Sequence, residues 1–246
     1  MPPPGPRPTI EDPIGSPAAR ACLLALTVAL IVDLVGIVAE LPWLVTLAKP
    51  WLMPLLAGWV LLVTPRPLAR PVGWLLAGLG LAWLGDLALL GDGDTAFLVG
   101  LVCFLGMQMA YLLAFAGLGR GDRPGLVRSR PWLGLPYLAV WLVMNGWLHG
   151  GVGTRFVPVL GYSAVLVTMA ARALDVSPRL APPFGRWLAA GGALFVVSDG
   201  VLAATAFDAV SAGRGWDVVV MTTYVAAQVL IAAGLTRGAR SGPGGG

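Results

Sequence analysis

Residues 74–90 read WLLAGLGLAWLGDLALL, and residues 187–203 read WLAAGGALFVVSDGVLA. Each stretch is apolar apart from one carboxylate, Asp86 in the first, and one Ser-Asp step, Ser198-Asp199, in the second. Neither alternates apolar and polar residues as a barrel strand would. A segment crossing a bilayer must satisfy its own backbone hydrogen bonds, so both read as membrane-spanning helices. A shift of 113 residues aligns them without a gap, Trp74 with Trp187, Gly78 with Gly191 and Asp86 with Asp199. The same shift carries Gly100 to Gly213 and Tyr111 to Tyr224. Matches of Gly, Ala and Leu mean little in apolar sequence, but Trp, Asp and Tyr on one shift point to a duplication.

The chain of 246 residues is 57% hydrophobic and only 11% charged. A soluble domain of this length carries about a quarter charged residues. The apolar runs here approach the ~20 residues that cross a bilayer. Eight helices are expected, at 18–40, 50–64, 71–91, 95–117, 131–149, 155–174, 184–207 and 216–236. The chain therefore reads as an all-α integral membrane protein, a bundle of eight transmembrane helices. Four crossings separate the two copies, so the repeats are two parallel four-helix units related by an axis along the membrane normal. Residues 1–17, rich in proline, read as a disordered tail, 18–236 as the transmembrane domain, and 237–246 as a second disordered tail.

Charge placement gives the orientation. Of the 16 Lys and Arg residues, all but Lys49, Arg155 and Arg214 fall in the N-terminal tail, in the loops after the second, fourth and sixth helices, or at the C-terminus. By the positive-inside rule both termini are cytoplasmic, in a bacterial-type inner (plasma) membrane. The net charge of +4 comes with no basic stripe interleaved with aromatics, so nucleic acid is not an expected partner. Cys22 and Cys103 sit inside apolar runs, too few for a disulfide framework or a cysteine zinc site. His149 is the one histidine and excludes a three-histidine metal centre. The turn Gly91-Asp92-Gly93-Asp94 is too short for a calcium loop. No metal or organic cofactor is expected. The first apolar run contains Asp33 and lacks a cleavage-site pattern, which argues against a signal peptide.

The candidate chemistry lies in the helices. Asp86 and Asp199 each fall roughly 14 residues, ~21 Å, from the cytoplasmic end of an outward-running helix, so the carboxyls share one depth. A charge there costs several kcal/mol unless it finds partners or water. Two carboxyls in one low-dielectric layer can divide into a protonated acid and an ionised base. Gln108 and Tyr111 share one face of the fourth helix, and Tyr224 and Gln228 one face of the eighth, by their spacing. Tyr162 lies about two turns into the sixth helix. Lys49 is expected to begin the second helix at the outer interface, where it could meet a phosphate. Asp33 is a third intramembrane carboxylate without a repeat partner.

These residues stand in stretches that resemble the YhhN family of membrane proteins, whose characterised members are lysoplasmalogenases. The resemblance runs from Lys49 to about Leu235. It rests on Lys49-Pro50, Gly85-Asp86, Phe104 to Tyr111, Tyr162 with Met169 to Ala173, Gly192 to Asp199, and Thr223 to Gln228. One position departs, since Gln108 stands where the family usually has histidine. The resemblance implies hydrolysis of the vinyl ether bond of a lysophospholipid, releasing a fatty aldehyde and a glycerophospho-base. Asp86 and Asp199 would then be catalytic, and Lys49, Gln108, Tyr111, Tyr162, Tyr224 and Gln228 would bind substrate. The expected partners are that lysophospholipid and membrane lipid. Two other readings fit the same residues: a proton-coupled transporter of small solutes or lipids, and a noncatalytic lipid-binding membrane protein.

Overall fold

The structure is a computed structural model that describes residues 16–118, 124–152, 156–207 and 209–238. Most of both expected tails, and the side chain of His149, lie outside the described residues. The long helices are α1 (Pro17–Val38), α2 (Pro42–Val63), α3 (Arg70–Ala88), α4 (Gly93–Ala116), α6 (Leu135–Val152), α7 (Phe156–Val176), α8 (Phe184–Ala206) and α9 (Arg214–Gly238). The single turn α5 (Leu126–Ser129) joins α4 to α6. Seven of these helices are long and apolar enough to cross a bilayer. The eighth, α6, follows a 3-10 turn at Pro131–Gly134 and its 18 residues make it the shortest of the long helices. The outer faces carry bare apolar side chains, such as Leu24 at 68% and Val102 at 66% exposure. Such surfaces are untenable in water and ordinary against lipid. The chain is an integral, multi-pass membrane protein.

Helix starts follow local rules. The Ser16 side chain accepts a hydrogen bond from the Ala19 N–H at 3.3 Å, and prolines occupy the first turn of α1, α2 and α3. A proline there gives up an N–H that has no helical partner anyway. The second helix departs from the sequence expectation. It begins at Pro42 rather than residue 50, and Pro50 and Pro54 lie inside it. An internal proline leaves the carbonyl four residues earlier without its donor. For Pro54 that carbonyl belongs to Pro50, and the Trp83 indole N–H of α3 donates to it at 2.9 Å. A neighbouring helix thus repairs the ladder, which lets α2 run its full 22 residues.

Burial supports the repeat. Met53, Leu56, Val60 and Val63 are buried on α2, and the 113-residue shift takes them to Leu166, Met169, Ala173 and Val176, all buried on α7. Leu75, Gly78, Leu79 and Ala82 of α3 go to Leu188, Gly191, Gly192 and Phe195 of α8, again all buried. Tyr111, Ala114 and Phe115 of α4 go to Tyr224, Ala227 and Gln228 of α9, all buried. The antiparallel pairs α3–α4 and α8–α9 are the two most closely packed in the bundle. Their registers differ. A Cβ on Gly78 would meet the Tyr111 ring, whereas one on Gly191 would meet Ala227 and Ile231 rather than Tyr224. The α9 contact is therefore displaced by about one turn or more.

Two polar knots brace the bundle away from the aspartate layer. Asn145 of α6 and Ser163 of α7 bond side chain to side chain at 3.1 Å. At the far end Asp175 accepts the Arg128 N–H of α5 at 3.0 Å and pairs with Arg172. Gly125 leaves the space that this carboxylate occupies.

Candidate functional site

Asp86 lies 16 residues from the start of α3, and Asp199 lies 15 residues from the start of α8. Equal distance along parallel helices puts both carboxyls in one layer, as the repeat predicts. Both line one cavity of about 570 Å³, bounded by α1, α2, α3, α4, α8 and α9. It lies at the end of the bundle that holds the α1–α2 and α3–α4 turns, since Glu40, Leu41 and Leu90 contribute to its wall. The volume falls within the ordinary range of small-molecule sites, roughly 300–1,000 Å³.

Each carboxyl is held by a tyrosine from another helix. The Tyr224 hydroxyl of α9 donates to Asp86 Oδ2 at 2.9 Å, with both side chains buried. The Tyr162 hydroxyl of α7 donates to Asp199 Oδ2 at 2.5 Å. The Tyr224 ring is fixed edge-to-face between Phe104 and Phe195, with centroids 6.0 and 5.8 Å away. Behind it, Gln228 accepts from the Tyr111 hydroxyl at 2.5 Å and turns its amide toward the Met107 sulfur at 3.3 Å. Tyr111 and Gln228 therefore back up Tyr224 and do not line the cavity. Gln108 is fully buried beside the Tyr162 hydroxyl, without a hydrogen bond of ordinary geometry.

Lys49 is where sequence and structure part. With α2 starting at Pro42, Lys49 sits seven residues inside the helix, ~10 Å from its end, rather than at an interface. It lines the cavity within electrostatic range of Asp86. The repeat explains its place, because the 113-residue shift carries Lys49 onto Tyr162. In each half the helix preceding the aspartate helix thus supplies a polar side chain beside that aspartate. In the first half it is a cation, in the second a hydroxyl.

Sequence reasoning missed several wall residues. Ser198, next to Asp199, donates to the Val220 carbonyl at 3.0 Å and lines the cavity. Glu40 and Asp217 stand at the mouth. Glu40 has a left-handed backbone, φ 56°, and is held by Arg214 at 3.0 Å. The signal of these two was faint, because a single carboxylate in a loop or at a helix start is ordinary. A smaller apolar pocket of about 50 Å³ adjoins Asp199 and Tyr162 and is closed by Phe97 and Phe207, which pack edge-to-face. Among the described residues no three His, Cys, Asp or Glu side chains come together as metal ligands.

A helical membrane bundle with two intramembrane carboxyls facing one chamber, each held by a tyrosine, is the class of protein this architecture defines. The model of the YhhN family matches residues 44–235, and the chain belongs to that family. No curated protein and no solved structure matches the chain.

Proposed function

We propose that this protein hydrolyses the vinyl ether bond of a lysoplasmalogen-like lysophospholipid in the membrane. The observation that carries the reading is that Asp86 and Asp199 line the same cavity, each with one oxygen held by a tyrosine. Holding one oxygen leaves the other free to face a substrate.

The chemistry needs two carboxyls and water. One aspartic acid gives its proton to the alkenyl carbon beta to the ether oxygen, leaving an oxocarbenium ion. The other carboxylate faces that cation and takes a proton from the water that adds to it. The hemiacetal formed then collapses: the first aspartate, now ionised, takes its O–H proton, and the second, now protonated, gives its proton to the glycerol oxygen as the carbon–oxygen bond breaks, leaving a fatty aldehyde and a glycerophospho-base. One water is consumed and both carboxyls return to their starting states. Ser198 and Tyr224 on the wall supply further polar contacts, and Lys49 is the cation available to the lipid phosphate. The step requires no metal or organic cofactor. With both termini in the cytoplasm, as the arginine distribution favours, the cavity mouth faces the outer side of an inner membrane.

The test is aldehyde release from lysoplasmalogen by the purified protein, coupled to NADH oxidation by an alcohol dehydrogenase. Asp86→Asn and Asp199→Asn are each expected to lower turnover by roughly a hundredfold or more, the usual worth of acid–base catalysis. Wild-type turnover in both variants would overturn the proposal. Movement of lipid or solute across liposomes with no aldehyde formed would favour transport instead.

A further inference from the structure

Asp33 lies in α1, before the segment that matches the family. It is fully buried at 0% exposure, and neither carboxyl oxygen has a hydrogen-bond partner. An uncompensated charge in such a place costs several kcal/mol. Its surroundings offer one compensation. Gly36 and Ile37, one turn further along α1, line the cavity, so Asp33 lies on the same helix face just beneath the cavity wall. The α1–α2 contact is close, since a Cβ on Gly36 would come within 2.9 Å of Leu44 Cβ. The two helices run antiparallel. Stepping back three residues from Gly36 along α1 therefore steps forward along α2 from Leu44 and Val45 to Ala48 and Lys49. The Lys49 ammonium is within electrostatic range of both Asp33 and Asp86. One cation is thus within electrostatic range of a carboxyl on the cavity wall and of a carboxyl beneath it.

We propose that Asp33 is the counter-charge of Lys49 and acts as a positioning residue. By holding the ammonium it keeps Lys49 from closing an ion pair on Asp86, and so leaves the Asp86 carboxyl free for chemistry. Without Asp33 the cation is left to Asp86, the other carboxylate it acts on, and Asp86 is locked. The Tyr224 hydroxyl that donates to Asp86 cannot replace Asp33 in this role, because it carries no charge.

The kinetic arm of the test rests on the hydrolase reading, and the spectroscopic arm does not. In the aldehyde-release assay Asp33→Asn is expected to lower kcat by about tenfold or more with little change in KM. Lys49→Met is expected to raise KM. The double variant Asp33→Asn/Lys49→Met is expected to recover kcat relative to Asp33→Asn while keeping the raised KM, because the stranded cation has gone. A purely structural Asp33 would instead give losses that multiply, and that result, or an unchanged kcat in Asp33→Asn, would overturn the proposal. In the second arm, infrared spectra of the purified proteins report protonated carboxyls. Lys49→Met is expected to gain a protonated-carboxyl band that Asp33→Asn/Lys49→Met lacks. A gain that persists in the double variant, or no gain at all, would overturn the pairing. If the wild type releases no aldehyde, the hydrolase reading fails and the infrared arm alone decides the place of Asp33.

Discussion

Removing one hydroxyl at Tyr224 tests the carboxyl layer most directly. Tyr224→Phe keeps the ring, and with it the edge-to-face packing on Phe104 and Phe195. It deletes the donor to Asp86 Oδ2, a 2.9 Å bond between two buried groups, on a hydroxyl that also meets Gln228. Leaving a buried carboxyl oxygen without its donor costs about 1–3 kcal/mol, more if the group is charged. If that loss falls on the transition state, kcat drops roughly five- to hundredfold, at 1.36 kcal/mol per factor of ten. The matched control is Tyr111→Phe, which removes a bond of similar burial to Gln228 without touching a carboxyl. The assay is aldehyde release under saturating lysoplasmalogen, alongside thermal unfolding in the same detergent. The reasoning predicts similar losses of stability in the two variants and a much larger loss of kcat in Tyr224→Phe. Equal kcat in both, close to wild type, would refute a catalytic use of the Tyr224–Asp86 bond.

Other expectations follow from packing. Gly78→Ala would place a methyl 2.7 Å from Tyr111 Cδ1, and Tyr111 is fully buried. Overpacking of this kind costs about 1–3 kcal/mol, so the unfolding midpoint should fall, and an unchanged midpoint would mean the ring can move aside. Trp83→Phe should lower the midpoint modestly, by about 1 kcal/mol, because the Pro50 carbonyl loses its donor where there is no water to replace it. A stability equal to wild type would mean that another group serves that carbonyl. Gln108→His places the family's usual residue beside the Tyr162 hydroxyl and should keep or raise aldehyde release. A loss as deep as that of Asp199→Asn would show that the pocket around residue 108 is built for the amide.

Much of the architecture was legible because it rests on composition and period. Long apolar runs define spanning helices whatever their neighbours, and a duplicated Trp-Gly-Asp pattern fixes two carboxyls at one depth. The pairing of each aspartate with a tyrosine was half visible, since both tyrosines were singled out but not which carboxyl each would hold. That choice depends on helix neighbours, and no periodicity encodes these. The start of α2 was misread because proline suits a first turn, and three prolines offered that role within thirteen residues. Only the tertiary donor Trp83 shows how the helix tolerates Pro54, the last of them. The misplacement of Lys49 followed directly from that boundary. Asp33 was noticed as an intramembrane carboxylate, but its neighbour depends on the close approach at Gly36, which is a property of the folded pair α1–α2.

The repeat gives these details a common logic. The two halves present matching buried faces and matching aspartates, yet the side chain flanking the aspartate differs, Lys49 in one and Tyr162 in the other. A symmetric pair of carboxyls in the same environment would have no reason to behave differently. Acid–base chemistry needs them to differ, one giving a proton and the other facing a cation. Among the described residues Lys49 lies within electrostatic range of Asp86, whereas Asp199 is held by the neutral Tyr162 hydroxyl, and under the proposed hydrolysis that difference breaks the symmetry of the two carboxyls. The displaced register of α9 against α8 does the same for the tyrosines. It lets Tyr224 reach Asp86 across the half boundary, while its counterpart Tyr111 reaches Gln228 instead. The two halves thus differ at residues that touch the aspartates or hold the groups that do.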